Sequence, residues 1–423
     1  MITRSPWSFG EFVAQARAAG QIVVQPRMGF SHPQTMHAGL TAVRHASATT
    51  VGTITVDSYT RVNDLTAADK ALAAGVALNG YPIATYPAEL TQQVIGEAGT
   101  PVQVRHGSAR PEHIIRALTA AGLHATEGGP ISYCLPYSRV PVRESVHEWE
   151  RSTELLVELC RGNGQEAHLE TFGGCMMGQL CPPGLLVALS TLEALFFRQH
   201  GLRSISLSYA QQTHAEQNTE AVLAMRRLIA ELLPDVQSHV VVYAYMGVYP
   251  LTGDGATRLL QEAARLTART GAARLIVKTT AEAFRIPTIA ENVIALETAA
   301  AAAGPTATPD PYVDSETYAE ARALVDAVLD LDDDIGAALI SALQRGYLDI
   351  PYCLHPDNAG RATGQVGGDG RLRWTRTGSM PIRPTGPTGR RTTAPDLLES
   401  LNYIRRTYDS QQYAVAVGHQ EPR

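Results

Sequence analysis

The stretch WERSTELLVELCRGNGQEAHLETF (149–172) contains, within one unit, the alternation that decides the fold. Trp149, Leu156 and Leu159 recur at helical spacing, and after a glycine-containing turn the short run His168–Phe172 has the length of a buried strand. A helical segment followed by a strand, repeated along a chain, is typical of βα units and a parallel sheet.

Outward from this unit, short strand-like runs alternate with helical segments from about residue 20 to residue 300. The runs are Ile22–Gln25, Val51–Val56, Val76–Leu78, Val102–Val104, His168–Phe172, Ser204–Tyr209, Val240–Tyr245 and Leu275–Lys278. A count near eight, with no GxGxxG after the first run, favours a (β/α)8 TIM barrel over a doubly wound sheet. Leu123–Glu127 is a ninth candidate; we expect it to be a barrel strand, followed by a flap at Ile131–Tyr137.

The character of the sequence changes after residue 300. Ala299–Ala303 followed by Gly304–Pro311 is typical of a hinge, and helical patterns follow near Ser315–Asp330, Ile335–Arg345 and Pro395–Tyr408. The region 355–395 is rich in Gly, Pro, Arg and Thr. The sequence therefore predicts a barrel domain at 1–303 and a smaller, partly irregular, α-rich C-terminal domain at 304–423.

Composition excludes several classes of function. The 423 residues carry 35 Lys+Arg against 41 Asp+Glu, a formal charge of −6, which gives no electrostatic case for binding nucleic acid or a membrane surface. No apolar stretch approaches the ~18 residues that span a bilayer, and the start MITRSPWSFGEF lacks a signal-peptide core, so we expect a cytoplasmic protein. The five cysteines include no CxxC, and we expect buried free thiols.

Three arginines follow strand-like runs, at the end of a parallel barrel where function gathers. Arg27 lies in QPRMG, Arg61 in DSYTRVN and Arg105 in VRHG. Although any one of them could pair with a neighbouring carboxylate, three converging cations favour a ligand with at least two negative groups. Glu127, near Tyr133 and Tyr137, could accept hydrogen bonds from an ammonium. The pattern points to an amino dicarboxylate such as glutamate or aspartate.

Other chemistries find less support in the sequence. His32 and His37, and the loose cluster of His214, Glu216 and Glu220, match no metal-ligand spacing, so no metal site is predicted. There is no GxSxG and no P-loop. Lys278, at a predicted strand end, could form a Schiff base as in barrel lyases, and that possibility stays open.

A series of motifs in fixed order resembles the epsilon (E) subunit family of glutamate mutase, also called methylaspartate mutase, over roughly residues 10–365. The motifs are QPRMG, DSYTRVN, LNGYP, QVRHG, EGGPISYCLPY, ETFGG, CPP, LIVKTTAE and DIPYCLHPDNAG. The resemblance implies an isomerase that interconverts L-glutamate and L-threo-3-methylaspartate by a radical rearrangement that depends on adenosylcobalamin.

The resemblance also implies a partner. In that family a small sigma (S) subunit binds the corrin through DxHxxG, whose histidine ligates cobalt. None of the 13 histidines here has Asp two residues before it, so the cobalt ligand is expected from the partner, in a heterotetramer of two E and two S chains.

The resemblance further implies roles for individual residues. Glu127 and Arg105 are the expected catalytic residues. The expected substrate-binding residues are Arg27, Arg61, Arg105, His106, Glu127, Tyr133 and Tyr137. The expected cofactor-binding residues are Gly29, Asn79, Pro136, Tyr249, Lys278, Glu282 and Ile286. The chain departs from the family in having Arg274 for a lysine and YAQQTH (209–214) for YGECGN.

Two alternatives to the mutase subunit remain open from the sequence. The first is a cobalamin-free TIM-barrel lyase or aldolase that uses Lys278, which predicts activity in the isolated chain. The second is a non-catalytic subunit that binds an amino acid, which predicts glutamate binding without turnover.

Overall fold

The computed structural model of the chain describes residues 8–96, 100–176, 180–305, 312, 314–386 and 392–417, with side chains up to residue 410. None of the helices in these ranges combines the length and the apolarity needed to cross a membrane.

Eight strands form one parallel sheet in the order β1-β8-β7-β6-β5-β4-β3-β2. They are β1 (Val23–Gln25), β2 (Gly52–Thr55), β3 (Val102–Arg105), β4 (Ala125–Gly128), β5 (His168–Thr171), β6 (Ser204–Ala210), β7 (Gln237–Tyr243) and β8 (Arg274–Ile276). Between β1 and β2, the Val24 N–H donates to Thr49 O (2.9 Å) and the Val51 N–H to Val24 O (3.3 Å). These bonds close the sheet on itself, which confirms the predicted barrel.

Helices connect the strands on the outside of the barrel. They are α1 (Phe9–Ala18), α2 (Pro33–Arg44), α3 (Ser58–Arg61), α4 (Leu65–Ala73), α5 (Ala88–Ile95), α6 (Glu112–Ala120), α7 (Val142–Gly162), α8 (Pro183–Gln199), α9 (Ala215–Leu232), α10 (Gly253–Thr270) and α11 (Ile289–Ala303). Short 3-10 turns follow β5 at Gly173–Cys175 and β8 at Thr280–Ala283.

Two of the predicted strand-region features are corrected by the structure. The run Val76–Leu78 is not a strand: it is irregular, and Val76 is 55% exposed. The ninth candidate, Leu123–Glu127, supplies the missing strand as β4. Ile131–Tyr137, predicted as a flap, is a turn whose first five residues are buried in the core, with Tyr133 2% exposed, whereas Tyr137 at its end is 46% exposed.

The chain after residue 303 forms a smaller, mainly helical region. It contains α12 (Glu316–Leu329), α13 (Ile335–Arg345), the hairpin β9 (Thr363–Val366) and β10 (Leu372–Arg376), α14 (Ala394–Leu401) and α15 (Tyr403–Val417). The first two predicted helices are confirmed, the last is two helices, and the hairpin was not predicted. Helices α12 and α13 pack on α8, so α8 is buried on every side from Pro183 to Phe197.

A buried aromatic side chain closes the amino-terminal end of the barrel. Phe9, at the start of α1, is fully buried; its ring stacks on His168, with centroids 4.6 Å apart, and lies 5.0 Å from the guanidinium of Arg274. Helix α1 is therefore a plug, and the opposite end of the barrel is the end that can open to ligand.

The barrel interior is polar where most TIM barrels carry branched apolar side chains. Gln25 donates to Gln103 Oε1 (2.8 Å), and Gln103 donates to Glu170 Oε2 (3.2 Å). Ser206 donates to the same oxygen (3.1 Å), and Arg274 forms a fully buried ion pair with Glu170. Burial of this pair is tolerable because its remaining donors and acceptors are satisfied.

We predict that Phe9→Ala lowers the free energy of unfolding by about 3–5 kcal/mol, because it opens a cavity over buried polar groups. Chemical denaturation measures the loss. Phe12→Ala is the matched control on the same helix, since Phe12 is only partly buried; equal losses for the two variants would contradict the plug.

Candidate substrate and cofactor site

A cavity of about 660 Å³ opens at the carboxyl ends of the strands, within the range of small-molecule sites. Arg27, Arg61 and Arg105 all line it. Arg27 and Arg61 follow β1 and β2, and Arg105 is the last residue of β3. The closed sheet brings them to one mouth because strand ends of a parallel barrel share one rim. Other predicted site residues on its wall are Gly29, Asn79, His106, Glu127, Tyr133, Tyr137, Glu282 and Ile286.

Arg61 is held at the mouth by two local structures. Asp57 caps the short helix α3, accepting from the N–H groups of Tyr59 (2.8 Å) and Thr60 (3.1 Å). Arg61 ends that helix, and its Nε donates to the backbone oxygen of His106 (2.9 Å). The Arg61 guanidinium is thus positioned through its Nε, and Arg61 lines the cavity.

Arg105 is the most deeply buried of the three arginines and is paired on one side. Its Nε donates to Glu127 Oε2 (2.7 Å), and one terminal nitrogen lies 3.4 Å from the Tyr243 hydroxyl. Burial alone would lower the pKa of Arg105, but the facing Glu127 raises it well above its ordinary value. The other terminal nitrogen is buried without a hydrogen-bond partner among the described residues. A buried donor left in this way is costly unless a ligand accepts from it.

Glu127 gathers the donors at the base of the cavity. Tyr133 donates to Oε1, and Tyr243 donates to Oε2 at 2.8 Å, beside Arg105. Burial, together with the nearby Glu127 charge, raises the pKa of Tyr133 well above its ordinary value, and burial likewise raises that of Tyr243. Both phenols therefore remain protonated donors. A carboxylate oxygen can accept two hydrogen bonds, so Oε1 retains a position for a ligand N–H.

Tyr243 also links the site to the polar interior below. Its hydroxyl lies within hydrogen-bond distance of both Glu170 and Glu127, so its single proton is shared between these two acceptors, and Glu170 is the partner of Arg274. The Arg105–Glu127 and Arg274–Glu170 pairs are therefore connected through the hydroxyl of Tyr243.

His106 is neutral in this environment. Burial, and then the charges of His113, Arg61 and Arg105, lower the pKa of His106 to about 3. Its Nδ1 accepts from the Ser108 N–H (3.0 Å), which assigns the ring proton to Nε2. Nε2 is buried without a partner among the described residues, so it offers a second donor to a ligand oxygen.

Glu193, a residue that the sequence analysis did not single out, holds the loop that carries Tyr133 by hydrogen bonds to its backbone. Glu193 of α8 is fully buried and accepts from the N–H groups of Ser132 (2.9 Å) and Gly173 (2.9 Å), among other donors. Burial raises the pKa of Glu193 to about 7, although these bonds oppose the shift. The only sequence signal was an acidic residue inside the apolar run PGLLVALSTLEALFF (183–197).

The residues predicted to contact the cofactor divide into two groups. Gly29, Asn79, Glu282 and Ile286 line the cavity itself, whereas Pro136, Tyr249 and Lys278 are not among its lining residues. Lys278 Nζ lies 3.4 Å from Oε2 of the cavity-lining Glu282 and 5.1 Å from the centre of the Tyr249 ring. Lys278 therefore contacts the cavity wall through Glu282, and Tyr249 lies behind Lys278. Pro136 is half-buried beside Tyr137.

Further cavity residues were not predicted as site residues. Phe172, Met246, Phe284 and Arg285 also line the wall. Phe284 and Ile286 are 67% and 62% exposed, so the rim on the β8 side carries two exposed apolar side chains beside the charged Glu282 and Arg285.

Comparison with known proteins gives one consistent family. The family model for the methylaspartate mutase E chain matches residues 6–388. A glutamate mutase epsilon subunit of Halobacterium salinarum is 29% identical over 384 residues, covering 88% of this chain and 80% of the relative. Proteins of the same description from Treponema denticola and Escherichia coli O157:H7 are each 28% identical, covering 78% of this chain and 71% and 72% of the relatives.

We predict that Lys278 titrates near pH 8. Burial, and then the charge of Arg27, lower its pKa to about 8, and Glu282 opposes the shift. Lys70, the other of the two lysines in the sequence, is exposed and supplies the reference signal. NMR of the chain labelled at lysine Cε measures both, with Lys70→Arg for assignment. Glu282→Gln should lower the Lys278 midpoint further; a wild-type midpoint above pH 10 would contradict the assignment.

Proposed function

The chain belongs to the methylaspartate mutase E chain family, and we propose that it is the substrate-binding subunit of a glutamate mutase. The proposed reaction interconverts L-glutamate and L-threo-3-methylaspartate with adenosylcobalamin. The observation that carries the proposal is the meeting of three arginines with Glu127 in one cavity, where Arg105 keeps a buried N–H without a partner among the described residues.

The charges of the cavity fit an amino dicarboxylate. Arg27, Arg61 and Arg105 offer planar donors that match carboxylates, and neutral His106 adds one N–H. The Glu127 carboxylate provides an acceptor for an ammonium group. A ligand with two carboxylates and one ammonium would therefore satisfy both the cations and the anion of the wall.

In the proposed reaction the protein orients and encloses the substrate. The arginines fix both carboxylates, so the carbon skeleton between them is held in one orientation while it rearranges. The buried Tyr133 and Phe172, with the more exposed Tyr137, add aromatic surface to the cavity wall, which limits the access of water. Glu127 Oε1 is placed to hold a proton from the substrate ammonium.

The residues on the β8 side of the cavity fit the cofactor that the family implies. Glu282, with its ion-pair partner Lys278, would hold polar groups of the cofactor, while the exposed Ile286 and Phe284 offer apolar surface. Asn79, between β2 and β3, would add an amide from the neighbouring wall. The Tyr249 hydroxyl, buried without a partner among the described residues, is a further donor on this side. When bound, adenosylcobalamin supplies the organic radical that starts the rearrangement.

The cobalt ligand is proposed to come from a small sigma-type subunit, in an assembly of two chains of each kind. His106 is the one histidine among the described residues that line the cavity. It is buried between Trp149, at 5.8 Å between ring centres, and Tyr133, at 5.1 Å. That position suits the substrate end of the cavity and not a metal at its rim.

Reconstitution tests this function. The purified chain is mixed with a sigma-type subunit, adenosylcobalamin and L-glutamate, and NMR follows 3-methylaspartate, with each component omitted in turn. We expect product only in the complete mixture. Glutamate binding without product under any reconstitution would instead support the non-catalytic binding subunit.

We predict that Glu127→Gln lowers kcat of the reconstituted enzyme by about 100-fold, because the amide cannot take a proton from the substrate ammonium. Steady-state kinetics measure kcat and KM. The control Glu231→Gln changes a glutamate that pairs with arginines on the outer surface, and should leave both unchanged. Full turnover in Glu127→Gln would rule out the proton-holding role.

A second candidate function rests on Lys278. Its lowered pKa leaves a larger neutral fraction, which is the form that attacks carbonyls. A Schiff-base lyase predicts that borohydride and a carbonyl substrate modify wild-type chain at Lys278 in the absence of cobalamin. Lys278 is ion-paired with Glu282, an interaction that holds the charged form of the amine and so favours the mutase over the lyase. If borohydride does not modify Lys278, the lyase is ruled out.

A further inference from the structure

The motif DIPYCLHPDNAG belongs to a segment, residues 349–362, that follows α13 and lies against the loop carrying Tyr133 and Tyr137. We propose that this 349–362 segment supports the substrate site from outside the cavity, and that His355 and Asp357 are positioning residues that hold the loop in its binding conformation. The inference rests on the proposed function for the identity of the ligand, but its structural basis is independent of that identity.

The 349–362 segment is itself rigidly built. Asp349 accepts from the N–H groups of Gly360 (2.7 Å), Arg361 (2.8 Å) and Ala362 (2.8 Å). Asn358 accepts from the Ile350 N–H (2.9 Å) and donates to Ile350 O (3.0 Å), which closes the turn between them. Because these bonds satisfy the backbone within the segment, its outward contacts come from a fixed frame.

A second sign of this fixed frame is the backbone at Tyr352, which has φ of +60°, a conformation that side-chain-bearing residues rarely adopt. The Tyr352 hydroxyl donates to Gly364 O (2.9 Å), which anchors the strained residue to β9. Backbone strain of this kind persists only where the surroundings enforce it.

Residues 129–141, between β4 and α7, form the loop that carries Tyr133 and Tyr137 and are called the substrate loop. Two side chains of the 349–362 segment bind the backbone at the carboxyl end of this substrate loop. His355 Nδ1 accepts from the Asp357 N–H (3.1 Å), which assigns the ring proton to Nε2, and Nε2 donates to Val140 O (3.0 Å). Asp357 accepts from the N–H of Val142 (2.8 Å), the first residue of α7. A residue more than 200 positions away in sequence thus caps the helix that follows the loop.

The contact continues toward the tyrosines. The Cys353 thiol donates to Leu135 O (3.6 Å), and the His355 ring lies 3.9 Å from the Cys134 sulfur. Leu135 lies midway between Tyr133 and Tyr137 in sequence. The loop is therefore held at two ends: Glu193 fixes Ser132, and the 349–362 segment fixes Leu135 to Val142.

Through the substrate loop, the 349–362 segment can affect the cavity although it lies far from the barrel in sequence. Tyr133 donates to Glu127, and Tyr137 lines the cavity, so a displaced loop would change the acceptor for the ligand ammonium and open the wall. Neither His355 nor Asp357 is among the cavity-lining residues. Their effect on ligand binding must pass through the loop.

The experiment compares Asp357→Ala with Asp357→Asn and Asp334→Ala. Asp334 is the N-cap of α13 and accepts from the Ala337 N–H (2.6 Å) and from Gln199 Nε2 (2.6 Å). Among the described residues neither bond involves the substrate loop, so this variant loses a helix cap without removing a hydrogen bond to that loop. Asparagine keeps an oxygen acceptor and should restore the Asp357 cap. Hydrogen exchange of the amides of residues 131–142 and calorimetric binding of L-glutamate to the isolated chain are measured for all variants.

We expect faster exchange of these amides and about tenfold weaker L-glutamate binding in Asp357→Ala alone, with both properties near wild type in the other two variants. Unchanged exchange in Asp357→Ala, or binding of L-glutamate that is weakened equally in Asp334→Ala, would overturn the positioning role. Failure of the wild type to bind L-glutamate would count against the proposed function, and the exchange comparison would still decide the contact.

Discussion

The buried ion pair between Arg105 and Glu127 is the interaction around which the site is organised. Two opposite charges taken out of water are stable only when the geometry is good and the remaining hydrogen-bonding positions are satisfied. Tyr133 and Tyr243 satisfy the Glu127 carboxylate, and Tyr243 connects it to the Glu170–Arg274 pair below. What remains unsatisfied, a terminal nitrogen of Arg105 and Nε2 of His106, faces a cavity that already contains two more arginines.

The rest of the barrel supports this charge arrangement. Phe9 closes the amino-terminal end over the polar interior, and the cavity opens at the opposite end. Helix α8, buried on all sides, carries Glu193 into the floor of the site, where it ties together the loops after β4 and β5. The mainly helical region after residue 303 covers α8 and, through the 349–362 segment, reaches the substrate loop. The division into domains at residue 303 stays a prediction.

Much of the fold could be predicted because strand and helix periodicities differ, and because strand ends in a parallel barrel share one rim. The sequence therefore predicts that Arg27, Arg61 and Arg105 meet at one place, as they do at the cavity. The prediction failed at Val76–Leu78, since a three-residue apolar run looks the same in a strand and in a loop. Glu193 and the 349–362 segment could not be assigned roles, because their partners lie about 60 and more than 200 residues away. Pairings of this kind appear only when the chain is folded.

Calorimetric titration of the isolated chain with L-glutamate, glutarate and L-2-aminobutyrate would test whether the cavity recognises two carboxylates and an ammonium together. Glutarate lacks the ammonium that Glu127 would accept, and L-2-aminobutyrate lacks the side-chain carboxylate that the arginines would bind. The structure predicts that L-glutamate binds at least about tenfold more tightly than either analogue, since each analogue leaves a buried charge or donor without its partner. Equal affinity for all three, or no binding of L-glutamate, would contradict this account of the site.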